Sequence, residues 1–508
     1  MRVIKKEGFR VAPLFHNGLD PIIGEDNETR LIDAFVNSLD IEAMGFRIKE
    51  KQKTAAGPPE YAPSDLLKIY IYGYLNRVRS SRQLERCCLI NIEMMWLISG
   101  VTPGYVTIAN FRKNNAKSLK EVFRSYNRFL GEQDLFGKET IAVDGAKISA
   151  QNAKKNNFSD KTIARHRKYI DKKTKEYQGY LKKPNDEKAA LISKAELNEK
   201  LKNLAKRKIH YDKLQEQLNK AKEEGVKQIS TIDADARLFT AIGLKGEVAY
   251  NLQSVVDEKN KLIIHNEITN KVDTNALFQM TSQAKRLLEV DEIKALADTG
   301  YDTGEELQKC AEDNIITFVA PRLQKGGIKN ANFSKRKFKY DKQTDTYTCP
   351  DGKILRTNNK TYTKKQKDKK ATSFKEYKLE YTTCNACIYK QDCANKRLNR
   401  KQSRVIERVS TADYTEANQQ RVNENKNYYR LRQSIVEHPF GTIKRQWGYS
   451  YTLLKGLEKV GGEFDLICLC YNIRRSISII GVKGLIERLK TAFLKIFHLF
   501  TFTKLYSA

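Results

Sequence analysis

No run of about 18 consecutive apolar residues occurs anywhere in this 508-residue chain, which excludes a transmembrane helix of ordinary hydropathy. Nor does the opening Met1-Arg2-Val3-Ile4-Lys5-Lys6-Glu7-Gly8 contain the apolar stretch of a secretory signal. Acidic residues are in deficit: 61 Asp and Glu stand against 93 Lys and Arg, a formal net charge of +32. Cysteine is sparse, nine in all. In a long chain without a secretory signal, these point to buried thiols or metal ligands rather than a disulfide framework. What is present is enough to fold: 40% hydrophobic and 9% aromatic residues supply real cores and exclude wholesale disorder. The length predicts roughly two to four domains. The expectation is a basic, cytoplasmic, multidomain protein with no membrane association, whose partner is a polyanion, most often nucleic acid.

The charge is unevenly placed. Residues 154–227 hold 22 Lys/Arg and 11 Asp/Glu, a net of +11, and residues 323–408 hold 24 and 8, a net of +16. Together they account for +27 of the +32, so two basic modules interrupt a nearly balanced framework.

Apolar residues at i, i+3 and i+4 predict an amphipathic helix over residues 29–47. A second helix is expected after Ala62-Pro63, with Ser64 as its cap and Asp65 in its first turn. Further helices run through Leu84 and Cys88, through Met94 to Leu97, and from Thr107. The first 130 residues therefore read as a small all-helical domain, either a helix-turn-helix DNA binder or a plain bundle. The period changes at Thr140-Ile141-Ala142-Val143-Asp144-Gly145-Ala146-Lys147-Ile148, a β-branched run with one acid at its centre. The first basic insert follows, with Leu197, Leu201, Leu204, Tyr211, Leu214 and Leu218 at three- and four-residue steps. That spacing predicts a helical hairpin or short coiled coil. A strand pair is expected over residues 248–256 and 261–268, turning at Asp257-Glu258-Lys259-Asn260. A helix (274–290), a strand ending at Asp298, a helix (305–312) and a strand (315–321) come next. The order is that of a mixed-sheet α/β domain interrupted twice.

Asp144 and Asp298 stand out by position. A carboxylate in a β-branched strand is costly to bury without compensation, and a shared divalent cation would supply it. The bland reading is that each acid sits at a strand end or turn. A third acid, Glu437, lies in Tyr429-Arg430-Leu431-Arg432-Gln433-Ser434-Ile435-Val436-Glu437-His438-Pro439-Phe440-Gly441-Thr442-Ile443-Lys444. Seven residues are nearly two helical turns, which would put Arg430, Glu437 and Lys444 on one face. Pro439 and Gly441 are expected to interrupt the helix after His438.

On these residues the chain resembles the bacterial insertion-sequence transposases of the DDE type. Arg30 to Asp40 and Leu66 to Ser81 look like the family's N-terminal helical domain. Val143-Asp144-Gly145 looks like its first catalytic acid, Ala297-Asp298-Thr299-Gly300-Tyr301 its second, and Val436-Glu437-His438-Pro439-Phe440-Gly441-Thr442-Ile443-Lys444 its third. The resemblance implies a multidomain chain. An N-terminal all-α, DNA-binding domain (1–135) would precede an α/β RNase H-like mixed-sheet catalytic domain. The catalytic domain would begin over 136–322 with a basic helical insert at about 151–230. A basic, Cys-rich, zinc-ribbon-like insert (323–410) would follow, then a C-terminal helical part (411–508) carrying the third acid. It implies metal-dependent cleavage at element ends and strand transfer by a freed 3′-hydroxyl, with Asp144, Asp298 and Glu437 holding two Mg²⁺ or Mn²⁺ ions. Tyr429, Arg430, Arg432 and Lys444 would contact DNA phosphates. The partner would be double-stranded DNA at element ends and target, bound by a homodimer or higher oligomer associated with the nucleoid. The family's Tyr-Arg-Glu-Lys spacing is broken here by four residues between Arg432 and Glu437, so the arginine's role stays open between Arg430 and Arg432. Asp233 and Asp235 are rival acids, ranked lower because they sit in a polar loop. A zinc-bearing DNA-binding protein without catalysis and an RNase H-like nuclease without strand transfer are the alternatives.

Cys349, Cys384, Cys387 and Cys393 fall in the more basic insert. Cys384 and Cys387 have a thiolate-pair spacing, and Cys349-Pro350-Asp351-Gly352 resembles a knuckle turn. Four such residues suit a structural Zn²⁺ that folds an insert too polar for a core of its own, against the alternative of free thiols. Cys87, Cys88, Cys310, Cys468 and Cys470 lie in apolar helical runs and read as core.

Overall fold

The computed structural model describes residues 18–46, 61–182, 192–223, 225–239, 246–322, 331–364, 371–393 and 403–492. Parts of the expected N-terminal domain (1–17, 47–60), of the helical insert (183–191, 224), of the Cys-rich insert (323–330, 365–370, 394–402) and of the C-terminal part (493–508) lie outside the described residues. The chain divides into two compact units. The first comprises Met1–Val272, Arg286–Glu289 and Gln433–Ala508, and the second Asp273–Lys285 and Val290–Arg432.

The first unit opens with α1 (Glu28–Asn37), α2 (Pro63–Leu75), α3 (Ser81–Ile90), α4 (Ile92–Leu97), α5 (Tyr105–Asn114) and α6 (Ala116–Glu132). Asn27 caps α1 by accepting the Thr29 amide at 2.8 Å, and Ser38 closes it, so the helix is shorter than the periodicity over 29–47 suggests. α2 begins two residues earlier than a Ser64 cap would place it, with Ala62 in the cap position. Pro63 occupies its first turn, where a missing N–H costs nothing. Leu67, Ile69, Tyr70, Ile71 and Tyr74 make α2 apolar nearly all round, so it is central and buried.

These helices share their core with the C-terminal helix Leu457–Ile480. Tyr126 meets Ser476 at 2.5 Å, and Asn472 donates to Asn127 Oδ1 at 2.7 Å. At Gly462 a Cβ would lie 2.6 Å from Ala116 Cα, so glycine is what lets the two helices approach. Cys88, Cys468 and Cys470 are buried in this unit, as is Cys310 in the other.

The sheet of the first unit is antiparallel. In chain order come β1 (Thr140–Ser149), β2 (Asn157–Phe158), α7 (Asp160–Lys182), α8 (Lys194–Glu223), β3 (Ile229–Ser230), β4 (Arg237–Phe239), β5 (Glu247–Asp257) and β6 (Ile263–Thr269). β5 pairs with β1, β4 and β6, and its register sets Asp144 opposite Ser254. α7 and α8 form the expected hairpin. Leu214 and Leu218 bury against Phe158 and Ile163, Leu197 and Leu204 are buried farther along, and Lys208 stays outside the seam, paired with Asp171. The two-residue pairing of β2 with β3 closes its base.

Two buried titratable groups sit between β6 and the C-terminal helix. Burial pushes the Asp465 carboxyl up to about 7, opposed by Lys120, by the Asn266 amide that donates at 3.0 Å and by Arg124, with Glu121 adding to it. Burial, with Lys120 and Arg124, pushes His265 down to about 3. A carboxyl raised in the fold costs stability progressively as pH rises from the ordinary carboxylate value, about 4, to about 7. His265 has the opposite slope, losing stability as pH falls from about 6.5 toward 3. Asp465→Asn is therefore expected to stabilise the protein by a few kcal/mol at pH 8 and by far less at pH 4. Urea denaturation at the two pH values checks this; an equal effect at both removes the carboxyl from the account.

The second unit carries α9 (Leu277–Leu288), then β7 (Ile293–Ala297), α10 (Gly304–Glu312) and β8 (Ile315–Val319), with β7 and β8 parallel, so that α10 is the crossover. A separate antiparallel sheet follows: β9 (Lys339–Asp341), β10 (Thr346–Thr348), β11 (Ile354–Lys364), β12 (Thr372–Lys378) and, after α11 (Tyr381–Asn385) and α12 (Lys390–Cys393), β13 (Val405–Val409). Its order is β13-β12-β11-β10-β9, over a small core of Phe338, Tyr347, Leu355, Tyr377 and Ile406. Arg408 ties this sheet to α13 (Ala412–Glu424), bonding Tyr347 (2.8 Å), Asp413 (2.6 Å) and Glu416 (2.7 Å) while its guanidinium lies over Tyr340. Asn418 on α13 bonds both the N–H and the C=O of Val319, serving β8 as a neighbouring strand would. α14 (Lys426–Phe440) follows, its residues up to Arg432 belonging to this unit and those from Gln433 to the first. The whole is multidomain α/β with a helical N-terminal region, and no helix among the described residues is long and apolar enough to cross a membrane.

Candidate active site

Asp144 lies mid-strand on β1, where isoleucine, valine and alanine neighbours set an extended, buried backbone. Its Oδ1 accepts the Gly145 amide at 2.9 Å. Directly across the ladder, and on the same face, the buried Ser254 hydroxyl has no hydrogen-bond partner among the described residues. An orphaned hydroxyl beside a carboxylate suits a bound water or a hydrated cation.

Glu437 lies on α14, exposed, accepting from Gln433 Nε2 at 2.8 Å. The expected break after His438 does not occur. α14 continues through Pro439 to Phe440 and passes into a π-helical turn, Gly441–Gln446. A proline here forfeits one bond, the one to Ile435 O, and its ring is buried with Ile435 and Val436. Continuous helix places Arg430, seven residues from Glu437, on the glutamate's face, with Arg432 turned well away. Within the first unit, His438 Nδ1 meets the Tyr471 hydroxyl at 2.7 Å. Tyr471 gives its one proton to Lys261 O, so the histidine is the donor.

Lys444, on the π-helical turn, donates to the Lys147 carbonyl of β1 at 3.0 Å, three residues from Asp144. Burial pushes this ammonium below the usual lysine range; Glu247 opposes, and Arg445 and Lys147 add to the shift. The chain beyond it is sewn to the end of β1: Ser149 N donates to Ser450 O and Thr452 N to Ser149 O, both at 2.9 Å. That loop rests on buried charge. Glu463 accepts the amides of Leu453 (3.0 Å) and Leu454 (3.2 Å) and lies 3.6 Å from Arg79. Arg79 donates to Tyr451 O at 2.9 Å and is held between the rings of Tyr449 and Tyr451.

Asp298 lies in the second unit, at the end of β7, capping a short 3₁₀ turn, Thr299–Tyr301. Its Oδ1 accepts the Gly300 amide at 2.7 Å, and a Cβ on Gly300 would come within 2.8 Å of that oxygen, so the close seat requires glycine. Two residues that sequence reasoning passed over stand beside it. Asp273 approaches the same side of Gly300, and Arg322 donates to Thr299 O (3.1 Å) and Gly300 O (2.8 Å), bracing the turn. A lone Asp before a helix and an Arg after a strand carry no periodicity that would have marked them.

Of the remaining candidates, Tyr429 and Arg432 are half-buried and Arg430 exposed on α14. The rival acids serve the fold instead. Asp233 accepts from Tyr250 at 2.7 Å and from Gly456 N at 3.3 Å, and Asp235 accepts from Leu457 N at 2.9 Å. They hold the N-terminus of the helix Leu457–Ile480, where negative charge is favoured. Thus Asp144, Glu437 and Lys444 share one unit and Asp298 lies in the other. Among the described residues, no three His, Cys, Asp or Glu side chains already sit at metal-binding distance.

Cys349, Cys384, Cys387 and Cys393 line a single cavity of ≈ 40 Å³ in the second unit, with Lys353, Lys390, Arg404 and Asp351. Gly352, at φ 78°, turns the chain so that its amide reaches Cys349 O at 2.9 Å, and the Lys353 amide donates to Cys349 Sγ at 3.3 Å. Burial pushes the Cys393 thiol up to about 11, with Arg404 opposing and Cys384, Cys349 and Cys387 adding to it.

Two families match the chain. One described as a transposase domain covers residues 18–114, the opening helices α1 to α5. The other, described as a transposase DDE domain, covers residues 348–477, a span that takes in the four cysteines, Glu437 and Lys444 but neither Asp144 nor Asp298. No curated protein and no solved structure matches.

Proposed function

We propose that this chain, which matches a transposase domain over residues 18–114 and a transposase DDE domain over 348–477, is an insertion-sequence transposase that cleaves DNA at the ends of a mobile element and joins the freed 3′-hydroxyl to target DNA. The observation that carries this reading is the transposase DDE match over Glu437 and Lys444, joined to a second acid, Asp144, on the strand that Lys444 grips. In this reading Asp144, Asp298 and Glu437 together hold two Mg²⁺ or Mn²⁺ ions in an RNase H-like arrangement. The orphaned Ser254 hydroxyl opposite Asp144 fits a hydrated cation there. Such ions would polarise the scissile phosphodiester and activate first water, then the 3′-hydroxyl. The Gly300 amide fixes the Asp298 carboxylate in place, and Arg322 keeps that turn from yielding. Lys444, with Tyr429 and Arg430 or Arg432, binds phosphate; a phosphate beside Lys444 would restore the charge that burial disfavours. The N-terminal helices and the two basic segments hold double-stranded DNA through its backbone, on a homodimer or larger assembly.

The test uses a supercoiled plasmid carrying the inverted repeats that flank the gene. The expected result is cleavage at the repeat ends and joined products in Mg²⁺, neither in EDTA. Binding without any Mg²⁺-dependent product would make the chain a DNA-binding protein, and cleavage without joining would make it a nuclease; either overturns the proposal.

A further inference from the structure

We propose that Cys349, Cys384, Cys387 and Cys393 form a closed, structural Zn²⁺ site that fastens the segment bearing α11 and α12 to the turn between β10 and β11. Thiols from separate stretches of chain line one cavity of ≈ 40 Å³, though no three of them are yet at metal-binding distance, so the site closes as the ion binds; that volume is above the roughly 10–15 Å³ that a single water-sized occupant needs. The turn Cys349-Pro350-Asp351-Gly352 already directs a backbone amide, that of Lys353, onto a cysteine sulfur at 3.3 Å. Donation of that kind orients and stabilises a ligating thiolate.

The segment also needs an anchor. α11 and α12 span five and four residues, and neither buries a single side chain; between them Ile388 is 84% exposed. Helices this short are not stable alone; the core beneath the sheet reaches them through the partly buried Leu379 and Cys393, and Tyr389 between them packs on Phe333 at 5.2 Å. A metal would supply the missing stability, as it does in small domains without a core.

Charge points the same way. Zn²⁺ held by four thiolates is a dianion, and binding releases the protons of the four thiols to solvent. Lys353, Lys390 and Arg404 line the same cavity. The one acid there, Asp351, is paired with Lys353 at 3.0 Å and accepts the Cys387 S–H at 3.5 Å, a contact that gives way when that proton leaves.

The experiment is metal analysis of the purified full-length chain with no DNA present, so its outcome is separate from that of the transposase reading. About one equivalent of zinc is expected, lost in Cys384→Ser and in Cys393→Ser and kept in Cys87→Ser, which lies outside the cluster. Under about half an equivalent, with the four thiols reacting freely with a thiol reagent, overturns the proposal, as does full zinc in either cluster variant. Where those variants do not fold, Co²⁺ titration of the wild-type chain decides: thiolate-to-cobalt charge transfer with tetrahedral d–d absorption supports the site, and its absence overturns it. Chelation should also speed tryptic cleavage at Lys390, and added Zn²⁺ should slow it again. An unchanged cleavage rate counts against the anchor.

Discussion

Asp144→Asn and Glu437→Gln are each expected to lower end cleavage and strand joining by ~10²–10⁴-fold, while binding to end DNA stays within about threefold of wild type. The substitutions conserve shape and remove only charge. Asp144 accepts a local bond from the Gly145 amide, which an amide oxygen can still accept, and Glu437 is exposed, so neither change should unfold the chain. The readout is cleavage in Mg²⁺ beside a gel-shift in EDTA. Activity within about tenfold of wild type for either variant would remove that carboxylate from the proposed metal site. A parallel loss of binding would instead mark a misfolded protein, which is why both assays are run on one preparation.

The second large effect is on stability. Glu463→Ala is expected to cost ~3–5 kcal/mol. It leaves the Arg79 guanidinium buried beside no carboxylate and strips the Leu453 and Leu454 amides of their acceptor. Arg79→Ala should cost less than its burial suggests when made in the Glu463→Ala background, because the two share one interaction. Urea denaturation of the single and double variants measures both; a Glu463→Ala cost under about 1 kcal/mol would show that the pair is dispensable. The consequence reaches the candidate site, since the loop held by Glu463 is the one bonded to the end of β1.

Much of the framework is legible from residues. The β-branched run around Asp144, the 257–260 turn and the short apolar strands ending at Asp298 and Val319 recur within a residue or two of their expected limits, because burial on both faces leaves an unmistakable composition. The second sheet was not legible. β11 is largely exposed and polar, and what organises it, the Tyr340, Tyr347, Tyr377 and Arg408 cluster, is assembled from positions scattered over some seventy residues. Buried charge was equally hidden: Arg79 and Glu463 look like ordinary surface residues until they meet. The helix through Pro439 defied a local rule because the cost of one lost bond is small against the packing of Ile435, Val436 and Pro439 itself. Among the acids, Asp233 and Asp235 accept amides more than 200 residues away, at Gly456 and Leu457, whereas Asp144 accepts that of its chain neighbour Gly145, a distinction that only spatial neighbours reveal.

The long basic hairpin of α7 and α8, part of the first unit, departs at Phe158 and returns beside it at Ile229. For the rest of the fold the arm is therefore a closed detour: the sheet makes the same ladder whatever its length or sequence. Such a doorway would let the arm lengthen or shorten without disturbing the ladder of β1 and β5 behind it.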